Sequence, residues 1–395
     1  TLEAVSLTSV STEVLRSLGY WLFYIRDAFS ATTTASLDHL VSIRVIVAGF
    51  VLVGGCIVGV VATGWAHRRF AAMLIGVGAV LAVGVHPIDD PSPMMSLLVG
   101  DGEGGLALAL RSSTRAIPVL LLGLALGAAL LVDAVRRHRL SLPRTSISVR
   151  TELVAATVFG LIAVFNLPAL RNGGLVDPAL ERDQDPPQAW IDAAADLDSL
   201  PSGSRVLQVP GTEFGAYRWG YTVDQPLPAL TERPLVTRDL LPLGSAPAMD
   251  LVFALDDRFQ DGIAEPASIA PVARLLGVDT VWVTGDIAFD RFRLARPEIV
   301  DDLLTNANAG AAAADLLPPR RFGEPRVMTP DLAMVDEQSL GDPRVGTPIA
   351  PVSLVGVADP VPTIRVKTGE LVLSGDGAGI VDAAAAGVID GSELI

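Results

Sequence analysis

The sequence predicts a multi-domain protein: an α-helical transmembrane bundle of about four spans, followed by an extracytoplasmic α/β domain with a mostly parallel sheet. Three observations carry that prediction. Four apolar runs cover residues 45–66, 70–85, 116–135 and 153–170, and about 20 apolar residues suffice to cross a bilayer core about 30 Å thick. The connectors between the runs alternate between basic and acidic. Beyond residue 170 the long runs give way to short strand-like stretches and amphipathic helices.

The order of the charges orients the runs. His67, Arg68 and Arg69 follow the first run, and Arg136, Arg137, His138, Arg139, Arg144 and Arg150 follow the third. The connector after the second carries Asp89, Asp90, Asp101 and Glu103, with Arg111 and Arg115 only at its far end. Short basic loops stay in the cytoplasm. Residues 67–69 and 136–150 are therefore expected inside, and 86–115 and 171–395 outside. The second run is short, and Asn166 and Pro168 break the fourth.

Taken in order, residues 1–44 form an outer-face segment. Its stretch 14–24 has apolar residues at helical spacing, with Tyr20, Trp21 and Tyr24 among them, which suits an interfacial helix or one packed beneath the exported domain. Residues 45–170 hold the spans, with a long outer loop at 86–115. A Pro-rich linker opens the α/β domain of residues 171–320. There, 189–200 reads as an amphipathic helix with Trp190 inward, stopped by Pro201, Ser202 and Gly203. Residues 205–209 read as a strand. Residues 269–276 read as a helix closed by Gly277 and followed by a strand over 280–283. Residues 321–395 form a second, strand-rich segment. Its clearest strand is 371–374, and a Gly375-to-Gly379 turn then enters an Ala-rich helix. Such a turn can bind phosphate, although the acidic surroundings oppose an anion.

Charge divides the chain at the same place. Residues 1–170 carry 12 Arg against 10 Asp plus Glu, and the remainder carries 17 Lys plus Arg against 34 Asp plus Glu. No basic stripe offers itself to nucleic acid. Cys56 is the only cysteine and lies in the first run, so no disulfide can form within the chain. The single lysine, Lys367, precludes a P-loop, and neither H-E-x-x-H nor G-x-S-x-G occurs.

Two constellations carry candidate chemistry. In the first, prolines at 87, 91 and 93 frame Asp89 and Asp90, with His86 beside them. A rigid carboxylate pair at a membrane surface suits a divalent cation or a polar substrate, and acid is also what topology alone places outside. The second runs from Pro210 to Asp224 directly after a strand, and gathers Glu213, Arg218, Trp219 and Asp224 among glycines. Aromatic faces beside hydrogen-bonding charges suit a sugar ring, and loops at strand carboxyl ends are where α/β sheets bind ligands. Docking onto the rest of the protein is the alternative. Arg238–Asp239 and the Asp256–Asp257–Arg258 cluster read as structural.

The stretches "GYWLFYIRD", "VHPIDDPSPM", "LALRSSTRAIPV", "PGTEFGAYRWGYTVD", "RPLVTRDLLPLGS" and "MDLVFALDDRFQ" resemble the alpha-(1→3)-arabinofuranosyltransferases of cell-wall arabinan synthesis. The resemblance runs through most of residues 14–300 and fades beyond about 320. It implies a multi-pass GT-C glycosyltransferase of the cytoplasmic membrane. Such an enzyme takes arabinose from a polyprenyl-phosphate donor, decaprenyl-phosphoryl-arabinofuranose, and adds it to an arabinogalactan or lipoarabinomannan acceptor outside the cytoplasmic membrane. Its partners would be that donor, the glycan and membrane lipid. No cofactor is implied, and a divalent cation stays open as an option at the Asp89–Asp90 pair. The family's catalytic carboxylate is expected in an outer loop ahead of this chain, which then reads as an internal fragment. His86, Asp89, Asp90, Arg111, Arg115, Glu213, Arg218, Trp219 and Asp224 form the expected substrate-binding set, with Arg111 and Arg115 placed for a lipid phosphate or for snorkelling to headgroups. The aromatic loop is expected to share a groove with Asp89 and Asp90. The competing reading is a non-catalytic, membrane-anchored module that binds glycan or protein.

Overall fold

The computed structural model describes residues 7–19, 21–28, 31, 33–84, 86–87, 113–137, 151–173, 185–201, 203–239, 244–305, 315–331, 335–366 and 371–393. Its contacts divide the chain into two compact units, Thr1–Pro178 and Ala179–Ile395.

The first unit is helical: α1 (Ser11–Leu15), α2 (Thr34–Val41), α3 (Ile43–Ala62), α4 (Arg68–Val83), α5 (Ile117–Arg137), α6 (Thr151–Phe165) and α7 (Pro168–Asn172). Each of the four apolar runs becomes a helix, but they differ in reach. By length and composition two stretches can cross a membrane, Ile43–Ala62 with 20 residues and Ser113–Val135 with 23. At about 1.5 Å per residue, the 16 residues of α4 and the 15 of α6 fall short of a bilayer core. Among the described residues, two candidate spans therefore stand where four were expected.

Small residues set the packing. A Cβ at Gly59 on α3 would lie 2.0 Å from the carbonyl oxygen of Gly127 on α5, and one at Gly127 would lie 2.2 Å from that of Cys56. On the other side of α5, a Cβ at Gly78 of α4 would meet Leu120 N at 2.5 Å. Backbone thus touches backbone on both flanks of α5, the contact that small residues permit between apolar helices. The outward faces stay apolar, with Val47, Val51, Val58 and Val61 of α3 exposed.

The helical spacing over 14–24 is realised as two short pieces. Ser17 (φ 64°) and Gly19 (φ 127°) turn the chain between α1 and a 3-10 turn at Trp21–Tyr24. Arg16 lies across α3 at Gly49, where a Cβ would come within 3.2 Å of its Cδ, and donates to the His39 carbonyl at 2.5 Å.

The second unit is a three-layer α/β/α sandwich. It contains α8 (Gln188–Asp198), β1 (Arg205–Val209), β2 (Gly215–Ala216), β3 (Tyr221–Val223), β4 (Leu235–Val236), α9 (Ala246–Gln260), α10 (Pro266–Leu275) and β5 (Val278–Thr284). These are followed by α11 (Phe289–Phe292), α12 (Pro297–Thr305), β6 (Arg320–Phe322), α13 (Glu337–Gly341), β7 (Val352–Gly356) and α14 (Gly377–Ala385). The main sheet has the order β4-β1-β5-β7-β6. The pairs β4–β1 and β1–β5 are parallel, while β7 runs against both β5 and β6. The sheet is thus mixed rather than mostly parallel, because β7 enters between β5 and β6 against the direction of both.

Side chains alternate across the sheet as strand geometry requires. Leu207, Val209, Val281, Val283 and Val355 join the core under α9, α10 and α14. Val206, Trp282, Val352 and Leu354 face α8, which contributes Trp190, Ala193, Ala194 and Leu197. The turn after α10 rests on Gly277 at φ 68°.

Residues 371–374 form no strand. Leu371 and Leu373 still pack on the core, so their alternation marks an inward face without a paired neighbour. The turn into α14 is closed to anions. Asp376 accepts from Gly379 N at 3.0 Å and Asp250 from Gly377 N at 2.5 Å, so two carboxylates occupy the helix N-terminus.

Candidate functional site

The parallel strands β4, β1 and β5 end together, and the loops that leave them build the most polar part of the second unit. The loop after β1 is clamped first. Asp256 on α9 accepts from Gly211 N at 2.7 Å and from Gln260 Nε2 at 3.1 Å. Arg238, just past β4, reaches Asp256 at 3.4 Å and Asp257 at 2.7 Å. Gly211 is required here, since a Cβ would lie 2.4 Å from Arg238 Cβ. Burial pushes the Asp256 carboxyl up, and its bonds from Gly211, Gln260 and Arg238 pull the other way. The two clusters read from sequence as structural therefore meet in one clamp.

From Gly211 the chain enters the β2–β3 hairpin. Asp224 N donates to Thr222 O at 2.8 Å across Val223, which sits at φ 66°. This is a γ-turn of the strained, positive-φ kind, unusual for a β-branched residue. The turn sends Gln225 inward. Its Oε1 accepts from Tyr217 Oη at 2.5 Å and from Gln208 Nε2 at 3.4 Å, and its Nε2 donates to Thr212 O at 3.0 Å. Glu213 and Asp224, which flank the hairpin's open end, remain exposed.

At the closed end the expected ligand contacts are engaged internally. Arg218 donates to Asp290 at 2.7 Å, approaches Asp331 at 3.4 Å and lies over the Phe289 ring at 5.3 Å. Trp219 stacks on Tyr217 with centroids 5.1 Å apart and an interplanar angle of 8°, and it meets Trp190 edge-on at 5.6 Å. The structure thus brings Glu213 to Asp224 on one side of the hairpin and Arg218 to Trp219 on the other.

Sequence reasoning passed over Asp286. It lies two residues past the end of β5, is 0% exposed, and accepts from Trp190 Nε1 at 3.0 Å. Burial pushes its carboxyl up to about 7, against the indole hydrogen bond and the fields of Arg326 and Arg218. The available signal was a Gly–Asp pair immediately after a strongly apolar strand.

In the first unit, His86 lies two residues past Gly84, half-buried, with its N–H bonded to Val83 O at 3.2 Å. Arg115 is exposed on the 3-10 turn Ser113–Ala116, and Ser113 Oγ bonds Ala82 O at 3.1 Å. That bond brings the Arg115 turn to the end of α4 where His86 stands. Asp89, Asp90 and Arg111 lie outside the described residues. Among the described residues no group of three His, Cys, Asp or Glu side chains is arranged to hold a metal ion.

A cavity of about 1040 Å³ opens at the opposite, amino-terminal edge of β1 and β4, lined in part by Pro228, Leu230, Pro234, Pro362 and Ile364. Its buried cation, Arg233, is matched by Asp279 at 2.6 Å. Reactive groups are gathered at the other edge.

A family model described as alpha-(1->3)-arabinofuranosyltransferase, N-terminal GT-C domain, matches residues 3–390. The chain is 30% identical over 300 residues to the alpha-(1->3)-arabinofuranosyltransferase of Mycolicibacterium smegmatis, covering 73% of this chain and 20% of that protein. With the protein of the same name from Mycobacterium tuberculosis it shares 28% over 295 residues, 70% of this chain and 20% of that one. The cryo-EM structure of arabinofuranosyltransferase AftD from Mycobacteria shares the fold, with a TM-score of 0.54 at 22% identity over 88% of this chain and 22% of that one. A mutant form of it gives 0.57 at 21% identity over 86% and 23%. The chain spans about a fifth of the length of the curated relatives it matches. With the family model matched from residue 3 to residue 390, the chain belongs to the alpha-(1->3)-arabinofuranosyltransferase N-terminal GT-C domain family.

Proposed function

We propose that this chain forms part of an arabinofuranosyltransferase that takes arabinose from a polyprenyl-phosphate donor and adds it to a cell-wall glycan outside the cytoplasmic membrane. The observation that carries the reading is the family match over residues 3–390, with relatives named for that transfer. The protein is multi-pass in this reading, with residues 67–69 and 136–150 inside and the second unit outside.

The transfer itself makes a bond from an acceptor hydroxyl oxygen to the anomeric carbon and breaks the bond from that carbon to the phosphate oxygen. A carboxylate takes the hydroxyl proton, and cations offset the charge that collects on the leaving phosphate. Arg111 and Arg115 serve the phosphate, and His86, Asp89 and Asp90 line the same outer end. Glu213 and Asp224, exposed at the open end of the hairpin, accept hydrogen bonds from acceptor hydroxyls. Arg218 and Trp219 hold the hairpin in shape beside them.

The test supplies radiolabelled polyprenyl-phosphoryl-arabinose and an oligoarabinoside acceptor to membranes expressing the whole gene product. Label should enter the acceptor, and Arg115→Gln should lower turnover. Absence of transfer, with glycan binding retained, would replace the transferase reading with that of an anchored binding module.

A further inference from the structure

We infer that Asp286 is a proton-binding site that controls how firmly α8 and the β2–β3 hairpin seat on the sheet. Three elements converge on this residue. Trp190, from α8, donates its indole N–H to the carboxylate at 3.0 Å. The hairpin is stitched to residues 286–288 by Arg218 N to Asp286 O at 2.8 Å, by Ala288 N to Ala216 O at 2.8 Å and by the bridge between Tyr217 and Ile287. The third element is β5, whose last residue, Thr284, accepts from Gln208 Nε2 at 3.4 Å.

No ion pair reaches the Asp286 carboxylate among the described residues. The charged and titratable groups that act on it are few. Arg218 of the hairpin is committed to Asp290 and Asp331, Arg326 of the following segment acts only through its field, and the Tyr217 hydroxyl is engaged by Gln225. Burial holds that phenol far above its usual range, so it stays neutral. A buried carboxylate with one side-chain donor and no cation in contact favours its neutral form. Gln208, whose amide bonds Thr284 and Gln225, has a buried Oε1 with no donor. A proton taken up from water converts the carboxylate to the acid and removes the buried charge. Loss of the proton restores a buried charge that the Trp190 indole and the fields of Arg326 and Arg218 offset only in part, so that water would stabilise it further. Admitting that water requires α8 and the hairpin to lift.

Three tryptophans report the change directly, because Trp190 lies 5.3 Å from Trp282 and 5.6 Å from Trp219. Tryptophan emission of the whole chain should shift to the red as pH rises, with a midpoint near 7. Asp286→Asn should abolish the shift. Arg326 is exposed, so Arg326→Gln leaves the core intact, and loss of its field should raise the midpoint by roughly 0.3–1 pH unit. A flat emission profile between about pH 5 and 9 would overturn the inference. So would an unchanged titration in Asp286→Asn or, should that variant not fold, an unchanged midpoint in Arg326→Gln.

Discussion

The indole N–H of Trp190 donates to the carboxylate of Asp286 at 3.0 Å, and both side chains are 0% exposed. One residue lies in the first turn of α8 and the other two residues past the end of β5, 96 positions apart. This bond, with the stack of Trp219 on Tyr217 beside it, turns the most aromatic loop of the chain into a joint between helix, hairpin and sheet. Glu213 and Asp224, at the other end of the hairpin, stay exposed.

Asp286 makes stability depend on pH with a definite sign. Its carboxyl stands at about 7 when folded, against about 3.9 for an ordinary aspartate. The folded state therefore retains a proton that the unfolded chain releases as pH rises past about 4. The resulting stabilisation is complete below about pH 4, falls as pH rises, and is lost above about 7, by at most about 4 kcal/mol. Urea unfolding of the wild type and Asp286→Asn at several pH values should show that slope only in the wild type.

Trp219→Ala should lower stability by about 2 kcal/mol, since it deletes a half-buried ring stacked on Tyr217. Glu213→Gln and Asp224→Asn should each change stability by less than about 0.5 kcal/mol, yet weaken acceptor binding. Thermal denaturation alongside titration with an oligoarabinoside separates the two effects.

The helical unit should be intolerant of bulk at its contacts and indifferent to it elsewhere. Gly127→Val places a side chain where Cys56 O already stands, whereas a Cβ at Gly160 meets nothing within 4 Å. In detergent, Gly127→Val should lose roughly 3 kcal/mol or more by overpacking. Gly160→Ala should match the wild type or exceed it slightly, because alanine favours helix.

The proposed orientation is checked by thiol labelling in a Cys56→Ala background. In intact cells a membrane-impermeant reagent should modify Asp224→Cys and leave His138→Cys untouched. Labelling of both positions would reverse the side assigned to residues 136–150.

Local pattern alone determined a good deal of this protein. The four apolar runs became helices, Trp190 turned inward from an amphipathic helix, β1 occupies residues 205–209 as read, and Gly277 separates α10 from β5. Each depends on neighbours a few positions apart, which periodicity and glycine record faithfully. Tertiary structure decided the rest. Helix reach depended on where α4 and α6 stop, the direction of β7 on which strand it met, and the fate of 371–374 on the absence of a paired strand. Arg218 and Trp219 carry a chemistry that suits a sugar, and only the fold sets them against Phe289, Asp290 and Tyr217. Asp286 drew no notice because a carboxylate acquires its character from burial, and Trp190, Arg218 and Arg326 approach it from distant parts of the chain. A sequence states which groups want partners; only the folded chain, by bringing remote segments within a few ångströms, determines which partners they find.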